Sequence, residues 1–216
     1  MSGRRLTALL AGASGLVGGE CLRRLLDERA YAAVVLVTRR DLGALARHRK
    51  LRQVVCDFAR LESVADALRA DHVYCALGTT IRKAGSQAKF REVDFEYPDR
   101  LAKLTRNLGA THFSLVSALG ADRRSPFFYS RVKGELEEAL RAMDWPSLCI
   151  VRPSVIAGDR GESRPLERLA GHALRFAPRT WRPVPASVIA AAMVATALRS
   201  PAGTTVIESR DIPEAA

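Results

Sequence analysis

Leu6-Thr7-Ala8-Leu9-Leu10-Ala11 runs without a break into Gly12-Ala13-Ser14-Gly15-Leu16-Val17-Gly18, and this junction decides the fold. The first six residues are an apolar run of strand length. The glycines follow at a G-x-x-G-x-x-G spacing, and an amphipathic stretch from Leu16 to Arg29 reads as the helix that leaves the loop. Gly12 and Gly15 permit a tight turn and let backbone approach a diphosphate closely. Gly18 lets the helix pack against the strand, so the helix N-terminus faces the phosphates. A glycine-rich βα turn with no ligand would share this composition; strand before and helix after favour the nucleotide loop.

Outward from this junction the chain alternates. Strand-like runs fall at Val34 to Thr38, Gln53 to Cys56, His72 to Ala76, Thr111 to Ser117, Leu148 to Val151 and Thr204 to Ile207. Helical stretches fall between and after them, at Leu61 to Arg69, Ser86 to Leu108, Pro126 to Met143, Leu166 to Phe176 and Ala186 to Leu198. Short connections between alternating strands and helices imply a parallel sheet covered on both faces. The expected fold class is α/β: one doubly wound Rossmann domain over residues 1–216, with about seven parallel strands. Residues 153–216 are expected to contribute a small helical lid on the substrate side, since the roughly sixty residues after Arg152 do not make a second domain.

The second strand ends in Thr38-Arg39-Arg40. A chain selective for NAD(H) usually carries an acid there for the ribose 2′-hydroxyl. Two guanidinium groups instead suit a 2′-phosphate, so NADP(H) is favoured over NAD(H). Asp57-Phe58, after the third strand, is placed to hold the adenine edge, although Asp is also a common turn residue. Leu77-Gly78-Thr79 closes the fourth strand with small residues where a cofactor passes near the backbone. The cofactor-binding candidates are therefore Gly12, Ser14, Gly15, Leu16, Val17, Thr38, Arg39, Arg40, Asp57, Phe58, Leu77, Gly78 and Thr79.

Ser117 ends the fifth strand, and Tyr129 and Lys133 lie four apart in the next helix, on one face. A phenol beside an ammonium can protonate a carbonyl oxygen as hydride arrives, or take the proton back. The Tyr-x-x-x-Lys pair is a weak signal in isolation and gains weight only from the nucleotide loop upstream.

In this order the motifs resemble the short-chain dehydrogenase/reductase superfamily. The finer likeness is to its atypical branch, the Tat-interacting-protein-like oxidoreductases. It is carried by Gly12 to Gly18, Cys75-Ala76-Leu77-Gly78-Thr79-Thr80-Ile81-Arg82-Lys83-Ala84-Gly85, Val93-Asp94-Phe95-Glu96-Tyr97, Val116-Ser117-Ala118-Leu119-Gly120-Ala121-Asp122, Phe128 to Glu135, and Arg152-Pro153 through Pro165. The resemblance implies NADP(H) binding with Tyr129 as acid/base. Lys133 would lower the phenol's pKa and hold the nicotinamide ribose, and Ser117 would orient the substrate carbonyl. Pro153 and Val155 would line the nicotinamide face. Many members of the superfamily place an Asn in the long fourth helix. Here the nearest polar residue is Asp94, so the usual tetrad is not expected complete.

Net charge of +11 and a pI of about 10.2 raise nucleic acid as a partner. The basic residues are spread along the chain beside acids, with no run of five like charges, so a specific nucleic-acid role is not expected. The excess instead steers anionic cofactors and acidic substrates. Arg82-Lys83 and Glu162-Ser163-Arg164 either border the substrate cavity, favouring an acidic or phosphorylated substrate, or belong to a solvated loop. No apolar stretch approaches a membrane span, and no membrane partner is expected. Arg4-Arg5 before an apolar run loosely resembles an export signal. Cleavage there would destroy the glycine loop, so a cytoplasmic location is expected. Cys21, Cys56, Cys75 and Cys149 are scattered, and neither disulfide nor metal spacing is present.

The expected activity is oxidoreduction of a small carbonyl or alcohol. The alternative is a regulatory module that senses NADP(H) redox state through a protein partner. A monomer or a homodimer fits either reading.

Overall fold

A computed structural model describes residues 5–43, 48–157 and 178–216. Strands β1 (Leu6–Ala11), β2 (Tyr31–Thr38), β3 (Leu51–Val55), β4 (His72–Cys75), β5 (His112–Val116), β6 (Ser147–Arg152) and β9 (Gly203–Glu208) form one sheet in the order β3-β2-β1-β4-β5-β6-β9. Every neighbouring pair is parallel. The order reverses at β1, between β2 and β4, and in open α/β sheets the crevice above such a point takes the ligand. A separate two-stranded pair joins β7 (Ile156–Ala157) to β8 (Val184–Pro185).

The α/β reading of the sequence is therefore the architecture of the protein. On β1 the side chains alternate strictly: Ala8 and Leu10 enter one core, Leu9 and Ala11 the other. The first core packs α1 (Leu16–Asp27) beside α6 (Ala186–Arg199), where the Cys21 thiol meets the Met193 sulfur at 3.9 Å. The second core packs α4 (Tyr97–Asn107) and α5 (Phe128–Arg141) through Leu101, Leu136 and Leu140. The short α7 (Ile212–Ala215) closes the described chain.

Two expected helices take other forms. The stretch expected as a helix from Leu61 to Arg69 is a 3₁₀ segment, Phe58–Leu68, with non-helical dihedrals at Arg60 and Val64. The single helix expected from Ser86 to Leu108 is divided. After the short α2 (Ile81–Ala84) come α3 (Gln87–Arg91), a π-helical turn at Glu92–Glu96, and then α4. Pro98, which has no N–H to continue the ladder, stands at the start of α4, and the Tyr97 amide bonds five residues back to the Glu92 carbonyl. The expected helix Leu166–Phe176 lies outside the described residues.

Under the first core, the N-terminal ends of the strands carry a buried polar row. The Tyr31 hydroxyl hydrogen-bonds His72 Nδ1 at 2.8 Å and the Tyr74 hydroxyl at 2.6 Å. His112, paired in register with both His72 and Ser147, bonds Ser147 Oγ and Ser114 Oγ at 2.8 Å each. Every member can be satisfied without a charge. Burial, with the His72 ring beside it, holds the His112 imidazole down to about 3. Burial also lowers His72, against the charge of Asp71.

An unfolded chain takes a proton on His112 near pH 6.5, the folded chain only at about 3. Lowering the pH through that window therefore favours the unfolded state, by about 1.4 kcal/mol per pH unit for each such histidine. Urea unfolding should show a lower midpoint at pH 5 than at pH 7, and His112→Gln should flatten that dependence. A midpoint that does not move across this interval contradicts the account.

Candidate functional site

The site is assembled at the C-terminal ends of the strands. Gly12 adopts φ +95°, and a Cβ there would fall on the Ala76 carbonyl at the end of β4. The Gly15 amide bonds the Gly12 carbonyl at 2.9 Å and closes the turn. A Cβ at Gly18 would land on that same Gly12 carbonyl, so α1 touches the loop backbone directly. Gly15 caps α1 with no side-chain hydrogen bond, Ser14 is exposed, and Leu16 and Val17 open the helix. Among the described residues no cap side chain takes the first amides of this twelve-residue helix, an arrangement that suits a diphosphate. The residues present fit the nucleotide expected of them.

Beside this loop, the end of β2 presents Arg39 and Arg40, both exposed. Thr38 is buried, and its hydroxyl accepts from Gln53 Nε2 at 2.8 Å while the same amide donates to the Arg40 carbonyl. Arg39 borders a cavity of about 240 Å³ together with Gly78, Thr79, Lys83, Ala84, Lys89 and Val93. Lys89 also pairs with Glu92 at 2.5 Å. Lys83, expected either to border the substrate cavity or to lie in a solvated loop, lines this cavity beside Arg39. Lys89 went unnoticed in sequence because it sits in a short helix whose packing only the structure reveals. Leu77, half-buried, joins β4 to this cavity. Asp57 caps the next segment, accepting from the Ala59 amide at 2.9 Å through Oδ1. The Phe58 ring is buried and stacks on Tyr97 at 5.6 Å, so at Phe58 only backbone is offered to an adenine.

Tyr129 and Lys133 occupy successive turns of α5, as their spacing required. Tyr129 is 37% exposed, and its ring packs on the buried Phe90 with centroids 5.5 Å apart. Lys133 is buried and lies 2.7 Å from Asp94 Oδ1, which is itself buried on the π-helical turn. That oxygen meets the ammonium as an ion contact without a well-directed hydrogen bond. The other carboxylate oxygen accepts from the Thr79 amide at 2.8 Å. Burial works against the Lys133 charge, but the Asp94 carboxylate, the Tyr129 phenol and the Cys75 thiol outweigh it and raise the ammonium above its ordinary value.

Ser117 departs from its expected role. Its hydroxyl donates to Glu137 Oε1 at 2.5 Å and both groups are buried, so its proton serves a carboxylate and is not free for a substrate carbonyl. Glu137, one turn beyond Lys133 on α5, also receives Arg152 through both oxygens and Arg141 at 3.1 Å, and Arg152 continues to Glu208 at 2.8 Å. A buried carboxylate draws every available donor. Nothing in the sequence marked Glu137, since Ser117 follows β5 and Arg152 ends β6, and only Arg141 shares its helix.

Pro153 is buried, and its carbonyl accepts the Leu119 amide at 2.8 Å, tying the β5–α5 loop to the end of β6. Val155 is half exposed, and its carbonyl accepts from Val184 at 2.8 Å. Glu162-Ser163-Arg164 lies outside the described residues.

A family model described as NAD(P)H-binding matches residues 12–197. Among curated proteins, the chain is 37% identical over 177 residues to Protein HTATIP2 of Rattus norvegicus, covering 81% of this chain and 73% of that one. It is 35% identical over 166 residues to Protein fmp52, mitochondrial, of Emericella nidulans, covering 74% and 71%. Among solved structures it is similar to MoeE5 in complex with UDP-glucose and NAD, with a TM-score of 0.73 at 18% identity over 93% of this chain and 75% of that one. The enzyme WbmG of Bordetella bronchiseptica in complex with NAD gives 0.74 at 16% identity, over 99% and 76%.

Arg152 supplies two of the bonds to a carboxylate that has almost no contact with water, and removing it leaves that charge under-compensated. Arg152→Met should cost on the order of 3 kcal/mol of stability, measured by denaturant unfolding at neutral pH. Loss below about 0.5 kcal/mol, the usual range of a surface change, would show that the network is not under strain without it.

Proposed function

The chain belongs to the NAD(P)H-binding family, and on that footing we propose that it is an NADP(H)-dependent oxidoreductase acting on a small carbonyl or alcohol. The observation that carries the reading is the pairing of Tyr129 with a buried, charged Lys133 on one face of α5, at the end of the sheet where the uncapped α1 and the glycine loop meet.

Bound NADP(H) would supply or accept the hydride. In the reducing direction Tyr129 gives its phenolic proton to the carbonyl oxygen, so an alcohol is formed. In the oxidising direction it takes the hydroxyl proton back. Lys133 holds positive charge beside the phenol and so stabilises the phenolate that remains after transfer. The amides at the start of α1 bind the diphosphate, and Gly12 and Gly15 let it approach the backbone. Arg39, with Lys83 and Lys89 across the same cavity, supports a preference for the 2′-phosphate of NADP(H). Arg82 and the overall excess of positive charge favour an acidic substrate.

The commitment of Ser117 to Glu137 favours a second reading, a cofactor-binding sensor with little turnover, because it takes one donor away from the substrate oxygen. The two part on Tyr129.

With NADPH and a panel of aliphatic and aromatic aldehydes and quinones, Tyr129→Phe should lower kcat by about 10²–10⁴-fold. Its NADPH affinity, read by isothermal titration, should stay within about twofold of the parent, since the phenol is placed for proton transfer and not for the phosphates. Full activity in this variant sinks the oxidoreductase assignment, and tight NADPH binding without turnover in the parent points to the sensor. Arg39→Ala should weaken NADPH binding about tenfold and leave NADH nearly unaffected, as expected for one lost charge-assisted phosphate contact. Equal loss for both nucleotides would remove Arg39 from the 2′-phosphate site.

A further inference from the structure

Lys133 sits where an ammonium should not survive alone. It is only 4% exposed, and an unpaired charge at such a site ordinarily neutralises. Among the described residues the countercharge comes from Asp94, 2.7 Å away and 1% exposed. Asp94 does more than pair, since its second oxygen takes the Thr79 amide at 2.8 Å. A Cβ placed on Gly78 would stand 3.5 Å from Asp94 Oδ1 and 3.8 Å from Lys133 Nζ, so the loop backbone after β4 lies directly against the pair. The carboxylate therefore spans the acid/base helix and the Gly78-Thr79 edge of the cofactor cleft. It reaches both from the π-helical turn ahead of α4.

We infer that Asp94 is a positioning residue of the proposed reaction, fixing Lys133 as a buried ammonium beside Tyr129 and bracing it to the Gly78-Thr79 segment. The inference rests on the assignment of Tyr129 as the acid/base. Its chemical content is a division of labour: Tyr129 exchanges the proton with the substrate, Lys133 supplies the field, and Asp94 keeps that field in place as pH rises. Among the described residues, the other titratable groups facing Lys133 are the Tyr129 phenol from the preceding turn of α5 and the Cys75 thiol from β4. The thiol is pushed up to about 11 by burial and stays neutral across the working range. Glu137, on the following turn of α5, is engaged by Arg152 and Arg141. Asp94 is thus the fixed negative charge on which Lys133 depends.

Asp94→Asn keeps the shape and can still accept from the Thr79 amide, but it offers Lys133 no charge. Burial, the first influence on Lys133, then acts with its main opposition removed, and the ammonium gives up its proton at lower pH. An uncharged Lys133 no longer supports Tyr129.

The test is the pH dependence of kcat for NADPH-driven carbonyl reduction, parent against Asp94→Asn, between about pH 6 and 10, with unfolding temperature and NADPH affinity measured alongside. The expected result is an alkaline limb displaced to lower pH by about one unit or more, a tenfold change in proton concentration. A limb that stays in place while the unfolding temperature drops makes Asp94 a structural brace only and overturns the inference. Absence of turnover in the parent on every carbonyl tried would fall on the oxidoreductase reading instead. In that case, or if Asp94→Asn does not fold, the ¹⁵N resonance of Lys133 Nζ is titrated in the unmutated chain, assigned through Lys133→Arg. An ammonium that persists beyond pH 10.5 supports the pairing, and release of the proton below that value overturns it.

Discussion

Three backbone segments meet at one point with no room for a side chain. The carbonyl of Gly12 occupies the space where Gly18 would carry a Cβ, and Gly12 itself lies against the carbonyl of Ala76. β1, α1 and the end of β4 are thereby drawn to the switch point of the sheet. The candidate site is placed relative to that contact. The start of α1 is aimed across it, Arg39 flanks it from β2, and the Gly78-Thr79 segment leaves it toward Asp94 and Lys133. A methyl group at Gly12 would also require a backbone conformation that side chains disfavour, so steric and torsional limits coincide there.

Buried polar chemistry is divided between the two ends of the sheet. At the N-terminal ends of the strands the row Tyr31, His72, Tyr74, His112 and Ser147 is satisfied by neutral donors and acceptors. Toward the C-terminal ends the buried groups are charged: Lys133 with Asp94, and Glu137 with Arg152. A neutral network fixes strand register and tolerates no proton. A charged one costs desolvation and is retained only where its field or its geometry is used. The ligand crevice lies at the charged end.

The glycine spacing, the alternation of apolar runs and the Tyr-x-x-x-Lys interval were all legible in sequence because each depends on a local period or a short loop. The seven-stranded parallel sheet followed from them. What could not be read depends on groups distant in the chain. Ser117 reads as a strand-end hydroxyl open to substrate, yet a carboxylate twenty residues later accepts its hydrogen bond. Asp94 reads as an isolated acid in the place of an Asn, and only folding brings Lys133 to it from thirty-nine positions further along the chain. The Ser86–Leu108 helix was misjudged for a local reason that was visible: Pro98 cannot continue the hydrogen-bond ladder. The NADP(H) preference was argued from Arg39 and Arg40 alone, whereas Lys83 and Lys89 line the same cavity as Arg39.

The π-helical turn at Glu92–Glu96 also constrains how this chain can change length. A π turn holds one residue more than the α-helical turn it replaces, and each α-helical residue advances the direction of its side chain by about 100°. Losing a single residue between Arg91 and Tyr97 would let a smoother helix form, and propensity alone would favour that. It would also swing everything before the deletion relative to α4, carrying Asp94 off Lys133 or Phe90 off Tyr129. The segment is thus frozen in length while free in much of its composition. Related chains that keep the contact between Asp94 and Lys133 should accept substitutions at Glu96 far more readily than any gap beside it.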